Sequence, residues 1–353
     1  MNRLLLAGVL LAACGCAPTP GETTYLSDGI QLTRGFARAG EAYFSPDMNW
    51  FIFQAIPAGE SNYQMYVACV LRTDGKITGT GVPTQITPTG SKNTCGYFSA
   101  DGKGLVFAST GARPPASRPA GPATGRGRYR WDFEPGMEIY FVGDWPQALD
   151  EVRPGAKVGL IPAARRLTTN DVYDAECAIS PDGRWIVYCS MESGDGDVYV
   201  MRTDGSQKAR ITSAPGYDGG PFFSPDGRRL VYRSDRRGDD KLQLFVCDLA
   251  FDGAGNITGM KSERQITHND HVNWGPYWHP DGRHIIYATS RHGHDNYELY
   301  LVRDDGSRDT RITYGPGADV LPVFSPDGKW LMWTSRRSSD GSPQIVAARF
   351  RMP

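Results

Sequence analysis

Short apolar runs rich in aromatic residues alternate with polar turns along most of this chain. The turns are copies of a Ser-Pro-Asp-Gly phrase, in which serine can bond back to the chain, proline presets φ and glycine suits the fourth position. The flanking runs are rich in Phe, Tyr, Trp, Val and Ile, which indicates β-strands. Each phrase therefore predicts a tight hairpin. Six copies occur, at residues 44–47, 98–102, 179–183, 223–227, 278–282 and 324–328.

Each hairpin is followed by a third apolar run and by a fourth that ends in Ile-Thr or Leu-Thr, which makes a repeat of roughly 40–55 residues. The sixth repeat lacks its fourth run, whereas a spare copy, Gln31-Leu32-Thr33, precedes the first hairpin. One arrangement accounts for both facts: an all-β, six-bladed β-propeller of four-stranded antiparallel blades, closed by an N-terminal strand that completes the last blade. Such closure protects sheet edges.

These motifs resemble the WD40-like (PD40) repeat of TolB-type propellers. The fifth repeat shows the whole pattern, from Asp281-Gly282 through Ser290-x-Arg-x-Gly to Leu299-Tyr300. The resemblance implies a propeller over residues 29–353 that binds a protein or an envelope polymer. It also has precedents among enzymes, because some pectate-type lyases carry this repeat. The α/β domain that precedes the propeller in TolB has no counterpart between residues 20 and 30.

The N-terminus predicts export and a lipid anchor. A basic start and an apolar run over residues 4–13 have the length of a signal peptide, too short to span a bilayer. The run ends in Leu11-Ala12-Ala13-Cys14, which resembles a bacterial lipobox, so we expect residues 1–13 to be removed and Cys14 to be lipidated. Residues 14–28 are then a flexible tether. The alternative is an ordinary secretory signal, cut after Ala13 or Ala17.

The expected location is the periplasmic side of the outer membrane of a Gram-negative-type bacterium, because Gly15 does not resemble an inner-membrane retention signal. The lipid would be the only membrane contact. A net charge of −1 provides no general attraction for nucleic acid. The cysteine spacing matches no zinc motif. Cys177 and Cys189 fall on two strands of one blade, so an exported protein could oxidise them; the alternative is a pair of buried thiols.

In five of the six repeats, an acidic or amide side chain stands five residues before the aromatic or apolar residue that opens the hairpin, and the first repeat has Ala39 there. First strands line the channel of a propeller, so these side chains are predicted to circle its mouth and to bind a cation, with Ca²⁺ preferred, or the basic groups of a partner. The alternative is that each residue caps its own loop. The predicted ring consists of Asn93, Asp174, Asp218, Asn273 and Asp319.

All six histidines fall in or just before the fifth repeat. Histidine is a common metal ligand, and the lyase precedent provides for a histidine metal site. The alternative is a set of exposed loop histidines. The candidate ligands are His268, His271, His292 and His294.

An insertion over residues 111–135 combines arginines with aromatic residues among Pro, Gly and Ala, which suits an anionic partner. The alternative is a solvated loop. The residues concerned are Arg113, Arg118, Arg126, Arg128, Arg130 and Trp131.

The sequence contains no Gly-x-Ser-x-Gly elbow and no phosphate-binding loop. The leading hypothesis is therefore a non-catalytic, lipid-anchored binding module of the envelope, with a protein or a peptidoglycan-associated polymer as its partner. The first alternative is a metal-dependent, carbohydrate-active enzyme similar to oligogalacturonate lyase. The second is a structural subunit of a large envelope complex.

Overall fold

A computed structural model describes residues 18–111, 133–151 and 159–353, and these form six antiparallel sheets arranged as the blades of a β-propeller. The closing strand and the strands of blades 1 and 2 are β1 (Leu26–Gln31), β2 (Phe36–Phe44), β3 (Trp50–Pro57), β4 (Gln64–Thr73), β5 (Lys76–Thr80), β6 (Thr84–Gln85), β7 (Asn93–Phe98), β8 (Leu105–Ser109), β9 (Glu138–Val142) and β10 (Arg165–Arg166). Those of blades 3 and 4 are β11 (Asp174–Ile179), β12 (Trp185–Ser190), β13 (Asp197–Arg202), β14 (Ala209–Arg210), β15 (Asp218–Phe223), β16 (Arg229–Ser234), β17 (Gln243–Phe251) and β18 (Ile257–Gln265). Those of blades 5 and 6 are β19 (Asn273–Trp278), β20 (His284–Thr289), β21 (Glu298–Arg303), β22 (Thr310–Arg311), β23 (Asp319–Phe324), β24 (Trp330–Ser335) and β25 (Gln344–Phe350).

The predicted turns form as expected between the first and second strands. In blade 3, the Ser180 hydroxyl donates to Asp182 Oδ1 (2.6 Å) and accepts from the Trp185 amide (2.9 Å). Gly183 has a φ of +72°, a conformation that side chains rarely adopt. The serine–aspartate bond recurs in blades 1, 2, 4 and 6. These repeated turns confirm that each phrase makes a hairpin.

Strand β1 closes the ring. It pairs antiparallel with β25, with Leu26 opposite Phe350 and Gln31 opposite Val346. The Thr33 hydroxyl then accepts from the Ile345 amide (2.9 Å), which is the bond that the fourth-strand threonine makes to the third strand in every other blade. The six-bladed, closed architecture is therefore confirmed. The closing strand begins at Leu26, earlier than the predicted Gln31, because the chain ahead of it is also docked.

That preceding segment, residues 19–25, is here called the N-terminal latch. Its 3-10 helix (Glu22–Thr24) places the Glu22 carboxylate, which is fully buried, between the guanidinium of Arg337 (2.9 and 3.1 Å) and the backbone amides of Thr19 (2.7 Å) and Tyr314 (2.9 Å). Residues 19–28 of the tether predicted over residues 14–28 are therefore docked on the propeller. They are held by a buried ion pair that the local composition does not reveal.

The core lies between the blades. Middle strands are buried on both faces, because a neighbouring sheet covers each of them; every residue of β12 is buried. Among the described residues there is one α-helix, α1 (Trp145–Glu151), whose Trp145 ring packs edge-on against Trp50, with centroids 5.2 Å apart. Two further 3-10 helices span Ile161–Ala163 and Ser290–His292. None of the described helices is long and apolar enough to cross a membrane.

Candidate functional site

Every inner strand carries a β-bulge at the same place, where the strand registers shift. The bulged residues have φ between +45° and +59°. In four blades this residue is not glycine, and such a backbone costs about 1–3 kcal/mol each time. Bulges re-aim side chains next to functional sites. The six bulged residues are Glu41, Cys95, Glu176, Gly220, Gly275 and Leu321.

All six bulged residues line one central cavity of about 600 Å³, here called the funnel. It reaches the loops that precede inner strands, at Tyr173, and the loops between second and third strands, at Tyr63 and His294. The exposed Arg38 and Arg336 lie at its rim. The funnel thus occupies the face opposite the Ser-Pro-Asp-Gly turns, and its volume is typical of a ligand pocket.

Four aromatic rings close the channel below the funnel. Tyr43 packs on Tyr97 (centroids 5.0 Å apart), and Phe222 packs on Tyr277 (5.0 Å). The hydroxyls of Tyr97 and Tyr277 hydrogen-bond to each other (3.0 Å). A separate cavity of about 300 Å³ lies beyond these rings, among the turn residues Pro46 and Pro181 and their neighbours. The funnel is therefore a one-ended pocket and not a pore.

A buried polar cluster forms one wall of the funnel. The Glu176 carboxylate accepts from the hydroxyls of Tyr217 (2.6 and 2.8 Å) and Tyr173 (3.2 Å), and from the amide of Gly220. Arg233 pairs with Glu176 (3.3 Å) and donates to the Tyr217 hydroxyl (2.8 Å). This is a desolvated ion pair, because the side chains of Glu176 and Arg233 are only 4% and 5% exposed. Each charge is therefore stabilised by the other.

A second carboxylate, that of Glu41, faces the funnel from blade 1. The Tyr43 hydroxyl donates to its Oε1 (3.3 Å). Burial raises the pKa of Glu41, and the nearby charge of Glu176 acts in the same direction. In the described part of the chain, no lysine, arginine or histidine lies within ion-pair distance of Glu41. The funnel therefore contains one carboxylate that is paired with an arginine and one that is not.

The side chains of the predicted ring do not converge on the channel mouth. All five are buried, and none of them lines the funnel. Asp218 pairs with Arg236 (3.3 Å) and Asp319 with Arg337, each within its own blade. Burial raises the pKa of Asp174 and that of Asp218 to about 6. The ring consists of Asn93, Asp174, Asp218, Asn273 and Asp319, the first residues of their inner strands.

The expected register missed the funnel by two residues, because each bulge redirects the chain just after the strand begins. Gly220 and Gly275, at the same distance from the hairpin phrase in blades 4 and 5, are the sequence signal that could have marked these bulges. The binding of Ca²⁺ or of a basic partner by the predicted ring stays a prediction.

The four candidate histidines are not assembled as a metal site. His292 Nε2 lies 2.8 Å from the Tyr300 hydroxyl, and His294 Nδ1 lies 3.3 Å from that of Tyr297. No group of three or more His, Cys, Asp or Glu residues that could hold a metal ion occurs within residues 18–111, 133–151 and 159–353. Local partners on blade 5 occupy the side chains of His292 and His294. The candidates were His268, His271, His292 and His294, of which His294 lines the funnel rim.

The two cysteines considered for a disulfide are free thiols in this structure. Cys189 lies opposite Ala175 in the strand pairing, and the bulge sets Cys177 out of register with it. Cys177 instead faces the funnel and donates to the backbone carbonyl of Cys95 (3.1 Å).

Two predicted features lie outside the described residues. One is the lipidation site, Cys14. The other is the set of arginine-loop residues, Arg113, Arg118, Arg126, Arg128, Arg130 and Trp131.

The fold and the funnel define a six-bladed propeller with a one-ended central pocket. Residues 163–265 and 256–351 match the family model described as the TolB beta propeller domain (PD40). Together these matches cover more than half of the chain, which therefore belongs to the TolB β-propeller family.

Similarity to individual proteins is partial in sequence and extensive in fold. A stretch of 74 residues is 35% identical to a protein named TolB homolog from Chlorobium luteolum, covering 21% of this chain and 16% of that protein. The matches span a quarter or less of the length of the curated relatives. The structure of a putative TolB from Agrobacterium tumefaciens has a similar fold, with a TM-score of 0.55 and 17% identity over 89% of this chain and 91% of that chain.

An oligogalacturonate lyase from Vibrio parahaemolyticus also shares the fold, with a TM-score of 0.50 and 13% identity over 91% of this chain and 80% of that chain. Identities this low show a common fold alone. The propeller is therefore shared by proteins whose names indicate different functions.

Proposed function

We propose that this protein is a non-catalytic binding module of the bacterial envelope, and that it holds a protein or an envelope polymer at its funnel face. The one-ended funnel carries the proposal. It combines a rigid frame of six inner strands with polar and aromatic side chains of varied chemistry, and it is bordered by the loops between blades, where propellers can vary without loss of the fold. Membership of the TolB propeller family supports the same role.

The proposal includes a lipid anchor at Cys14 and a place on the periplasmic side of the outer membrane, as the lipobox-like sequence suggests. A tether that ends at the latch would keep the propeller within a few residues of the membrane, since an extended chain spans at most about 3.6 Å per residue. The latch docks on blade 6 beside Arg337, next to the funnel rim.

A photo-crosslinker placed on the funnel rim tests this proposal. Arg336 is exposed on the rim, and Arg228 is an exposed arginine on the opposite, turn-bearing face, which makes it the matched control. With the anchored protein in intact envelopes, we expect a discrete adduct from a crosslinker at position 336 and none from position 228. Equal crosslinking at both positions, or none at either, would contradict binding at the funnel face.

An enzyme would behave differently in a second measurement. Purified protein with stoichiometric bound metal that cleaves oligogalacturonate would replace the binding proposal with the lyase alternative.

A further inference from the structure

Of the two bulge carboxylates that line the funnel, only one has an ion-pair partner among the described residues. Glu41 and Glu176 both line it, and the one buried arginine among the described lining residues, Arg233, is committed to Glu176 and to the Tyr217 hydroxyl. The rim arginines are exposed and make no ion pair with Glu41 among the described contacts. A half-buried carboxylate without a counter-ion is unfavourable, so a cation from outside the chain would be stabilised there.

The backbone conformation of Glu41 also indicates that its carboxylate has a role in the funnel. Its φ is +45°, and the equivalent positions of blades 4 and 5, which also have a positive φ, are occupied by Gly220 and Gly275. Glycine at this position would avoid the conformational cost, whereas a glutamate accepts that cost and gains a carboxylate directed into the cavity. The Glu41 amide is held by the Thr334 hydroxyl of blade 6 (3.2 Å), which fixes the strained residue from the neighbouring sheet.

Aromatic side chains line the funnel that this carboxylate faces. Tyr43, Trp274 and Tyr277 line the funnel, and Tyr43 also donates a hydrogen bond to Glu41. Aromatic faces attract ammonium and guanidinium groups, and they do so more strongly where water is excluded. The Arg233 guanidinium already lies 5.8 Å from the centroid of the Trp274 ring. A cavity of about 600 Å³ can admit a long side chain with its flanking backbone.

We propose that the funnel binds an alkylammonium or guanidinium group, carried by a lysine or arginine side chain of a partner peptide, with Glu41 as its counter-ion. This inference rests on the proposed binding function and adds the chemistry of the bound group. Glu176 is not the counter-ion, because Arg233 already neutralises it.

Three capped tripeptides test the assignment, each with glycine on both sides of a central lysine, arginine or norleucine. Norleucine has the four-carbon side chain of lysine without its ammonium group. Affinities for the purified full-length protein are measured by saturation-transfer NMR titration. We expect the lysine and arginine peptides to bind at least about tenfold more tightly than the norleucine peptide, as a charge-assisted hydrogen bond implies.

Glu41→Gln should abolish that preference. Glu60→Gln, an exposed glutamate of the same blade that does not line the funnel, should retain it. Equal affinity for all three peptides, binding of none, or an undiminished preference in Glu41→Gln would overturn the proposal.

A second measurement does not depend on the folding of the variant. Carbodiimide labelling of Glu41 in the parent protein, followed by mass spectrometry, should slow in the presence of the lysine peptide, while labelling of Glu60 should not. Unprotected Glu41 would overturn the proposal. If a crosslinker at position 336 captures a partner but the peptide and labelling tests fail, the binding function is retained. Only the assignment of a cationic ligand is then rejected.

Discussion

The N-terminal latch should contribute measurably to ring closure, and Glu22→Ala tests it. The side chain of Glu22 is fully buried, and that of Arg337 is 7% exposed. Removing one partner of a buried ion pair costs about 3–5 kcal/mol. Arg337 would still have Asp319, so we take the lower end, about 3 kcal/mol. That loss corresponds to an increase on the order of a hundredfold in the equilibrium constant for local opening of the latch and of β1.

Amide hydrogen exchange measured by mass spectrometry is the appropriate assay, because it resolves opening of residues 19–31 from opening of the other blades. Exchange there should accelerate on the order of a hundredfold in Glu22→Ala, whereas the exposed Glu60→Ala should leave it unchanged. Glu22→Gln keeps the shape and removes the charge, so it should show part of the effect. If Glu22→Ala exchanges at the parental rate, the latch does not stabilise closure.

The pH dependence of this effect has a definite sign. Burial acts to raise the pKa of Glu22, but the hydrogen bond and the charge of Arg337 outweigh it and bring the pKa below its usual value. The stabilisation is therefore fully present above the usual glutamate pKa and is lost as the pH falls through the lowered value. The parent and Glu22→Ala should therefore converge only when the pH falls below that lowered pKa.

Three other variants test separate parts of the account. Deleting residues 26–31 should leave blade 6 with an open edge and cause aggregation; unchanged thermal unfolding would contradict closure by β1. Burial raises the pKa of Asp174 to about 6, so stability that is present in acid is lost as the pH rises from about 4 through 6. Asp174→Asn should therefore raise the melting temperature at pH 7.5 and have little effect near pH 4, and an equal shift at both pH values would refute this reasoning. Cys14→Ser should leave the membrane fraction, and sedimentation with salt-washed membranes would contradict the lipid anchor.

The architecture could be predicted because its signals are local and repeated. The Ser-Pro-Asp-Gly turn depends on residues two to five positions apart, as the bonds of Ser180 to Asp182 and Trp185 show. The closing strand was predictable for a related reason: Thr33 belongs to a motif present in the other five blades.

The candidate site was harder to predict from the sequence, because its geometry depends on the bulges. A shift of two residues along an inner strand separates Asp174, which is buried within its blade, from Glu176, which faces the funnel. A glutamate or cysteine that adopts a positive φ cannot be recognised from the sequence, whereas a glycine such as Gly220 can indicate that conformation. The latch escaped prediction because Glu22 and Arg337 are 315 positions apart and meet only when the ring closes.

Occupation of the funnel by a partner is tested most directly by hydrogen exchange on the parent protein bound to the partner recovered through a crosslinker at position 336. The partner should protect the bulge segments around Glu41, Cys95 and Glu176 and leave the Ser-Pro-Asp-Gly turns unchanged. Protection confined to the turns or to the outer strands would contradict it.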